Sequence, residues 1–288
     1  MWLGRYLTVG ALLSGAALAQ VDMAHLREGS FAGAAPSGQS LQIVNWNIAR
    51  GVELDKVTTF LEKAQPDVAV LQEVDVNARR SAWKDVAEVL AKALHLNYSF
   101  GPAFNELTQS KQDELAIQGQ ATLSRWPITS SRILRYSAQS SFWQPKSYLP
   151  TWSILQRREG GRVALVSELK ADGRRIVVYN LHLESRSGSV QEQQLGETLE
   201  DMRQYPVETP VLLVGDFNSK YHPKVMLQRL QKAGFTSCFG DQVMRTHVLL
   251  GWVDWIFVRG PLTCSDAEVH RKATGSDHFP LTARVSWK

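Results

Sequence analysis

Eight polar residues stand where short apolar runs of this 288-residue sequence begin or end. Asn47 follows LQIV at 41–44, Glu73 follows VAVL at 68–71, and His182 closes IVVYNLH at 176–182. Asp216 and Asn218 follow VLLV at 211–214, Asp254 lies inside VDWIFV at 253–258, and Asp277 and His278 open the final run, FPL. Runs of this length read as buried strands, and strand ends are where α/β architectures hold ligands and catalysts. One cleft fed by six segments can therefore collect all eight. Their carboxylate and amide oxygens are hard donors suited to Mg²⁺, Mn²⁺ or Ca²⁺. A magnesium site takes only one or two carboxylates and leaves room for water and phosphate. Zinc is disfavoured, because His182 and His278 are far apart in sequence and neither cysteine has a neighbouring partner. No G-x-S-x-G elbow and no P-loop occurs. Singly, such residues serve turns, as Asn47 ahead of Gly51 or Asp216-Phe217-Asn218 after Gly215 could. Only their shared placement points to a site.

The elements that must position them are regular. Val57, Phe60, Leu61 and Ala64 share one helical face after an Asp55 cap, and Val86, Val89, Leu90 and Ala93 share another. Leu195, Leu199 and Met202 mark a third helix, and Pro223 and Gly234 frame a fourth. From about 120 to 183 strands follow one another without helices between them. Mixed sheets packed together, with helices outside, fit this order. With 44% hydrophobic and 21% charged residues, the composition is that of one large globular domain.

Residues 1–19 combine Arg5, an apolar run broken by Gly10, Ser14 and Gly15, and the triplet Ala17-Leu18-Ala19. This is the pattern of a signal peptide, so export to the periplasm or medium is expected. Residues 20–40, rich in Gly, Ala, Ser and Pro, read as a flexible linker, and 41–288 as the functional domain. Loss of Arg5 with the leader lowers the formal charge from +4 to +3, an excess carried on pairs such as Arg79-Arg80, Arg157-Arg158 and Arg174-Arg175. Those pairs read as a solvated face, compatible with a polyanion but not demanding one. Cys238 and Cys264 permit one disulfide in an exported chain.

Six segments in order, WNIARG (46–51), LQEVD (71–75), NLHLES (180–185), VGDFNS (214–219), VDWIFV (253–258) and SDHFPL (276–281), resemble the motifs of the endonuclease/exonuclease/phosphatase superfamily, the deoxyribonuclease I-like metal-dependent phosphoesterases. The resemblance spans roughly residues 41 to 286. It implies a four-layer α/β/β/α sandwich of two packed mixed sheets. It also implies Mg²⁺, with Mn²⁺ or Ca²⁺ as alternatives, held by Glu73 with Asn47 beside it and Asp277 completing the site. Asp216 and Asn218 would position the attacking water, His182 would lie on the phosphate, and His278 would be oriented by Asp254. Whether Asp216 or His278 is the base differs between schemes for the family. Gln120 stands where many relatives carry an asparagine near the phosphate.

For substrate, the motifs and basic balance favour a nucleic acid. A phospholipid, in the manner of a phospholipase C or sphingomyelinase, or a phosphorylated metabolite are the alternatives, and a non-catalytic binding module is a third class. SSFWQPKSYLPTW at 140–152 places Trp143 and Trp152 in an aromatic loop around Lys146, suited to stacking on bases or to a membrane interface. No obligate protein partner is evident, and a monomer is expected.

Overall fold

A computed structural model of the chain describes residues 22–33, 38, 40–111, 114–140, 157–220 and 222–288. The signal-like segment 1–19 and the aromatic residues Trp143 and Trp152 lie outside them. In chain order the first elements are β1 (Arg27–Gly29), β2 (Ser40–Arg50), α1 (Leu54–Ala64), β3 (Val68–Val76), α2 (Val86–Leu94), β4 (Asn97–Asn105), β5 (Ile117–Ser124), β6 (Ile128–Arg135) and β7 (Glu159–Gly160). There follow β8 (Val163–Ala171), β9 (Arg174–His182), α3 (Gly188–Asp201), β10 (Val211–Asp216), α4 (Pro223–Lys232), β11 (Thr236–Ser237), β12 (Asp254–Arg259), β13 (Leu262–Val269) and β14 (Leu281–Trp287).

Among the described residues the strands form two mixed sheets. The larger runs β1-β4-β5-β3-β2-β14-β13, with β7 on β4, and the smaller runs β11-β12-β10-β9-β8-β6. The parallel pairs, β2 with β3 and β9 with β10, are each joined through a helix, α1 and α3 respectively. Every other pairing is antiparallel.

Side-chain alternation then decides the layers. Leu41 and Ile43 of β2, Val68 and Val70 of β3, Ile176 and Val178 of β9, Leu212 and Val214 of β10, and Ile256 and Val258 of β12 interdigitate between the sheets. The alternate residues of the larger sheet, such as Val44, Trp46 and Leu71, pack with α1 and α2. Those of the smaller sheet, such as Val177, Tyr179, Leu213 and Phe257, pack with residues of α3 and α4. The result is the expected four-layer α/β/β/α sandwich. Cys238, just after β11, is disulfide-bonded to Cys264 on β13, tying the smaller sheet to the larger at one edge. No helix among the described residues is long and apolar enough to cross a membrane.

Several expectations need correction. Within the stretch read as linker, Arg27–Gly29 pairs with Tyr98–Phe100 of β4; backbone pairing asks little of side-chain pattern, so composition missed it. Glu53 rather than Asp55 stands at the N-cap of α1, without a side-chain capping bond, and Asp55 sits in the first turn. Val89 is 36% exposed rather than core. Of the arginine pairs, only Arg174-Arg175 behaves as a solvated face. Arg80 makes a bidentate bond to the fully buried Asp75, through Nε at 2.7 Å and Nη2 at 2.8 Å, and Arg158 pairs with the buried Glu106 at 2.6 Å. Carboxylates buried in the larger sheet require cations beside them, and that demand overrides the usual exposure of arginine.

Candidate active site

The same alternation that builds the inter-sheet core delivers the polar residues to its end. On β2 the inward positions read Leu41, Ile43, Asn45, Asn47, and on β9 they read Ile176, Val178, Asn180, His182. Strand β10 gives Leu212, Val214, Asp216, and β12 begins at Asp254 before Ile256 and Val258. Register aligns them further: Asp216 is the partner of His182 on one side and of Asp254 on the other. One layer deeper, three amides floor the site. Gln72 Nε2 donates to Asn45 Oδ1 at 3.0 Å and to Asn180 Oδ1 at 2.9 Å; Asn45 donates to the Gly215 carbonyl, and Asn180 to those of Leu71 and Ala121. These bonds fasten the two sheets together directly beneath the charged groups.

Glu73 breaks the alternation. Pairing of β3 shifts between Leu71 and Val74, and Glu73 adopts φ +50° in the bulge. Asn218 (φ +51°) and, at the irregular end of β2, Ala49 and Arg50 share that left-handed region. Non-glycine residues held there cost of order 1–3 kcal/mol each and cluster at functional sites. Gly215 (φ +145°) has a simpler cause: a Cβ there would lie 2.1 Å from the Leu181 carbonyl oxygen of the adjoining strand.

Asp216 is the hub. Its Oδ2 accepts from Asn47 Nδ2 at 3.3 Å and lies 3.4 Å from His182 Nε2 and 3.8 Å from His278 Nε2. Its Oδ1 accepts the Asn218 backbone N–H at 2.9 Å, while Asn218 Nδ2 donates to the Leu183 carbonyl. Burial pushes the Asp216 carboxyl upward, against the pull of the His278 charge. His278 donates through Nδ1 to the Asp254 carboxylate at 2.9 and 3.1 Å. Burial alone would lower the imidazole, but Asp254, then Asp216 and Asp277, outweigh it and hold His278 up to about 10, as the imidazolium. His182 goes the other way: burial, and then the charges of Arg162, His278, Arg158 and Arg50, keep it well below the ordinary histidine value and neutral. The cleft thus holds one neutral and one cationic imidazole on opposite sides of one carboxylate.

Glu73 faces His182 at 4.0 Å and Arg50 Nη2 at 3.2 Å, with its side chain 16% exposed. Its carboxylate is a hard donor, as is the Asn47 amide oxygen, which also accepts the Ala49 N–H at 3.2 Å, and donors of this kind fit a divalent cation such as Mg²⁺. Two other groups of ligand atoms lie within 4.8 Å of one another, His247/Asp277/His278 and Asp216/Asp254/His278. Both depend on His278, whose Nδ1 is committed to Asp254.

The remaining expected residues are placed as follows. Asp277 is exposed and lies 3.4 Å from His247 Nε2; that contact, opposed by burial, keeps its carboxyl well below the usual range. Gln120 is buried, and its Nε2 donates to the Val163 carbonyl across the sheets at 2.7 Å. Arg50, Arg162 and His247 were not singled out from sequence, and Arg158 was read only as one of a solvated pair. WNIARG and VGDFNS drew attention to their amides and acids, whereas a lone arginine or histidine in a turn carries no spacing signal. His247 is buried, and its ring meets that of His278 edge-on at 4.5 Å between centroids.

Comparison with known proteins places this geometry. The model of the Endonuclease/Exonuclease/phosphatase family matches residues 44–278. A UPF0294 protein of Vibrio vulnificus strain CMCP6 is 31% identical over 118 residues, 39% of this chain and 40% of the relative, so the chain spans well under half the length of that relative. Among solved structures, the human Nocturnin catalytic domain with bound sulfate superposes with a TM-score of 0.66 at 18% identity, covering 91% of this chain and 98% of that one. An endonuclease/exonuclease/phosphatase from Beutenbergia cavernae gives 0.65 at 17% identity, covering 87% and 72%. A mannosyl-6-phosphatase of Bacteroides thetaiotaomicron gives 0.59 at 14%, covering 86% and 100%. At these identities the structures establish a common fold.

Proposed function

The chain belongs to the endonuclease/exonuclease/phosphatase family, and from that premise we propose that it is an exported, divalent-metal-dependent phosphoester hydrolase that directs water in line at phosphorus. The observation that carries this is the single carboxylate, Asp216, set between neutral His182 and cationic His278, with Glu73 across the cleft. Glu73 and Asn47 would hold the cation, which when bound neutralises phosphate oxygens and the charge that develops on them. Asp216, fixed by the Asn218 N–H, accepts the proton of the attacking water. His278 already holds its proton against Asp254, so it acts as a cation facing the phosphate rather than as the base. His182 offers a neutral N–H donor beside Asp216. Arg50 supplies further positive charge at Glu73.

Export is supported by the N-terminal pattern and by the bonded Cys238 and Cys264, which suit an oxidising compartment. The family motifs alone favour a nucleic-acid phosphodiester as substrate. The decisive test is a panel of plasmid DNA, RNA, sphingomyelin, phosphatidylcholine and sugar phosphates with purified protein in Mg²⁺ or Mn²⁺, with chelator and Glu73→Gln as controls. Turnover of one class, abolished by both controls, is expected; turnover indifferent to both would refute the proposal.

A further inference from the structure

Eight large apolar side chains are well exposed among the described residues, and four of them fall within one turn: Val248 (40%), Leu249 (85%), Leu250 (41%) and Trp252 (39%). The turn is not loose. His247 Nδ1 accepts the N–H groups of Leu249 and Leu250 at 2.8 and 2.9 Å, and the N–H groups of Thr246 and His247 reach the Gly251 carbonyl at 2.8 and 3.1 Å. It is also fastened to the catalytic segment. Val248 N–H donates to the Asp277 carbonyl at 2.9 Å, Phe279 N–H to that of Thr246 at 2.7 Å, and the His247 ring abuts His278.

Exposed apolar side chains gathered in one turn mark an interaction site, and three features choose its occupant. First, the turn is bonded to residue 277 and touches residue 278, so whatever it meets is presented to the phosphoester cleft; a molecule joining a phosphodiester to hydrocarbon chains meets both. Second, Leu249 is exposed to 85%, the most of the eight, and Arg245 is bonded beside it through Nε to the His247 carbonyl. Apolar tips flanked by tryptophan and cationic side chains suit the headgroup boundary of a bilayer. Third, the formal charge without the leader's Arg5 is +3, one below the +4 of the full sequence, and this positive balance complements an anionic leaflet. A nucleic acid passing the same edge would meet valine and leucine where phosphates call for lysine and arginine.

We propose that residues 247–252 form an interfacial anchor that seats the protein on an anionic phospholipid bilayer, and that the site acts on a lipid phosphodiester there. This rests on the hydrolase reading of the site. In the reaction, water's oxygen bonds to phosphorus and the phosphorus–oxygen bond to the lipid alcohol breaks. One proton of the water ends on that alcohol, the other is released, and the headgroup leaves as a phosphomonoester.

The test separates binding from chemistry. Full-length protein is sedimented with phosphatidylcholine/phosphatidylglycerol vesicles in chelator, and separately assayed in Mg²⁺ on those vesicles and on soluble bis(p-nitrophenyl) phosphate. Leu249→Ser and the double change with Trp252→Ser alter exposed positions, and circular dichroism checks that they fold. Burying one leucine is worth roughly ten- to a hundredfold in partition, so vesicle binding and lipid turnover are expected to fall at least about tenfold, with Leu249→Met restoring both and soluble-ester turnover unchanged. Wild-type protein that stays in the supernatant, or variants that sediment as well as wild type, overturn the anchor. Self-association that is lost in the variants, without vesicle binding, would assign the turn to a second copy and overturn it too. Failure to turn over both the lipid and the soluble ester instead refutes the hydrolase reading, while the sedimentation result still decides the anchor.

Discussion

His278 and Asp254 form a buried ion pair, Nδ1 to Oδ2 at 2.9 Å, in which the carboxylate stands at the first residue of β12 and the imidazole precedes the last strand. That pair fixes which ring nitrogen faces Asp216, and it makes the cleft's two histidines unlike.

The sign of the difference is measurable. A histidine raised in the folded state contributes stability that is complete below its unfolded value near 6.5 and is lost only as the pH rises through the folded value, about 10. In metal-free protein, ¹⁵N chemical shifts should show both His278 nitrogens protonated at pH 8 and His182 neutral at pH 7. Asp254→Asn should return His278 to the neutral form at pH 8 and lower kcat by about 10²–10³, the usual worth of one positioned group that stabilises developing charge. A His278 that titrates near 6.5 in wild type would be inconsistent with the pair as described.

The amide floor couples the sheets. Gln72→Leu leaves the Asn45 and Asn180 side-chain oxygens without their donor, which should destabilise the fold by about 2–4 kcal/mol in urea unfolding. A loss below 0.5 kcal/mol, about the size of a neutral surface change, would mean the network does not hold the layers.

Gly215→Ala should cost more than about 2 kcal/mol, because its Cβ meets the Leu181 carbonyl as well as an unfavourable φ. Gly240→Ala is the control: φ is +62° with nothing within 4 Å, so only the backbone term of about 1 kcal/mol applies. Equal midpoints for the two variants would contradict the close approach of β9 and β10.

Reduction of Cys238–Cys264, whose partners are 26 residues apart, should lower stability by about 2–4 kcal/mol. Denaturant midpoints with and without reductant measure it, and identical midpoints would show that the edge staple contributes nothing.

Much of this site was legible in the sequence because it obeys strand periodicity. Once Ile176 and Val178 are inward, His182 must be too, and the same holds for Asp216 after Leu212 and Val214. Glu73 was found by its motif and not by periodicity, since its left-handed bulge depends on pairing with strands distant in sequence. The partly buried arginines Arg80 and Arg158 were misread for a related reason. Arg80 is drawn inward by Asp75 and Glu106, and nothing local to Arg79-Arg80 discloses that those carboxylates are buried. His247 depends on a tertiary contact with the segment at 277–278, thirty residues away. Long-range geometry, rather than composition, sets each of these.

In the proposed reaction Asp216 takes the proton of the attacking water. The most direct measurement is single-turnover hydrolysis of bis(p-nitrophenyl) phosphate by wild type and Asp216→Asn, an isosteric change that keeps the Asn218 N–H contact available. The predicted result is a fall of about 10²–10⁴ in rate with the unfolding midpoint unchanged or raised, since a buried carboxyl is removed. Retention of the wild-type rate by a folded Asp216→Asn protein would contradict the central claim.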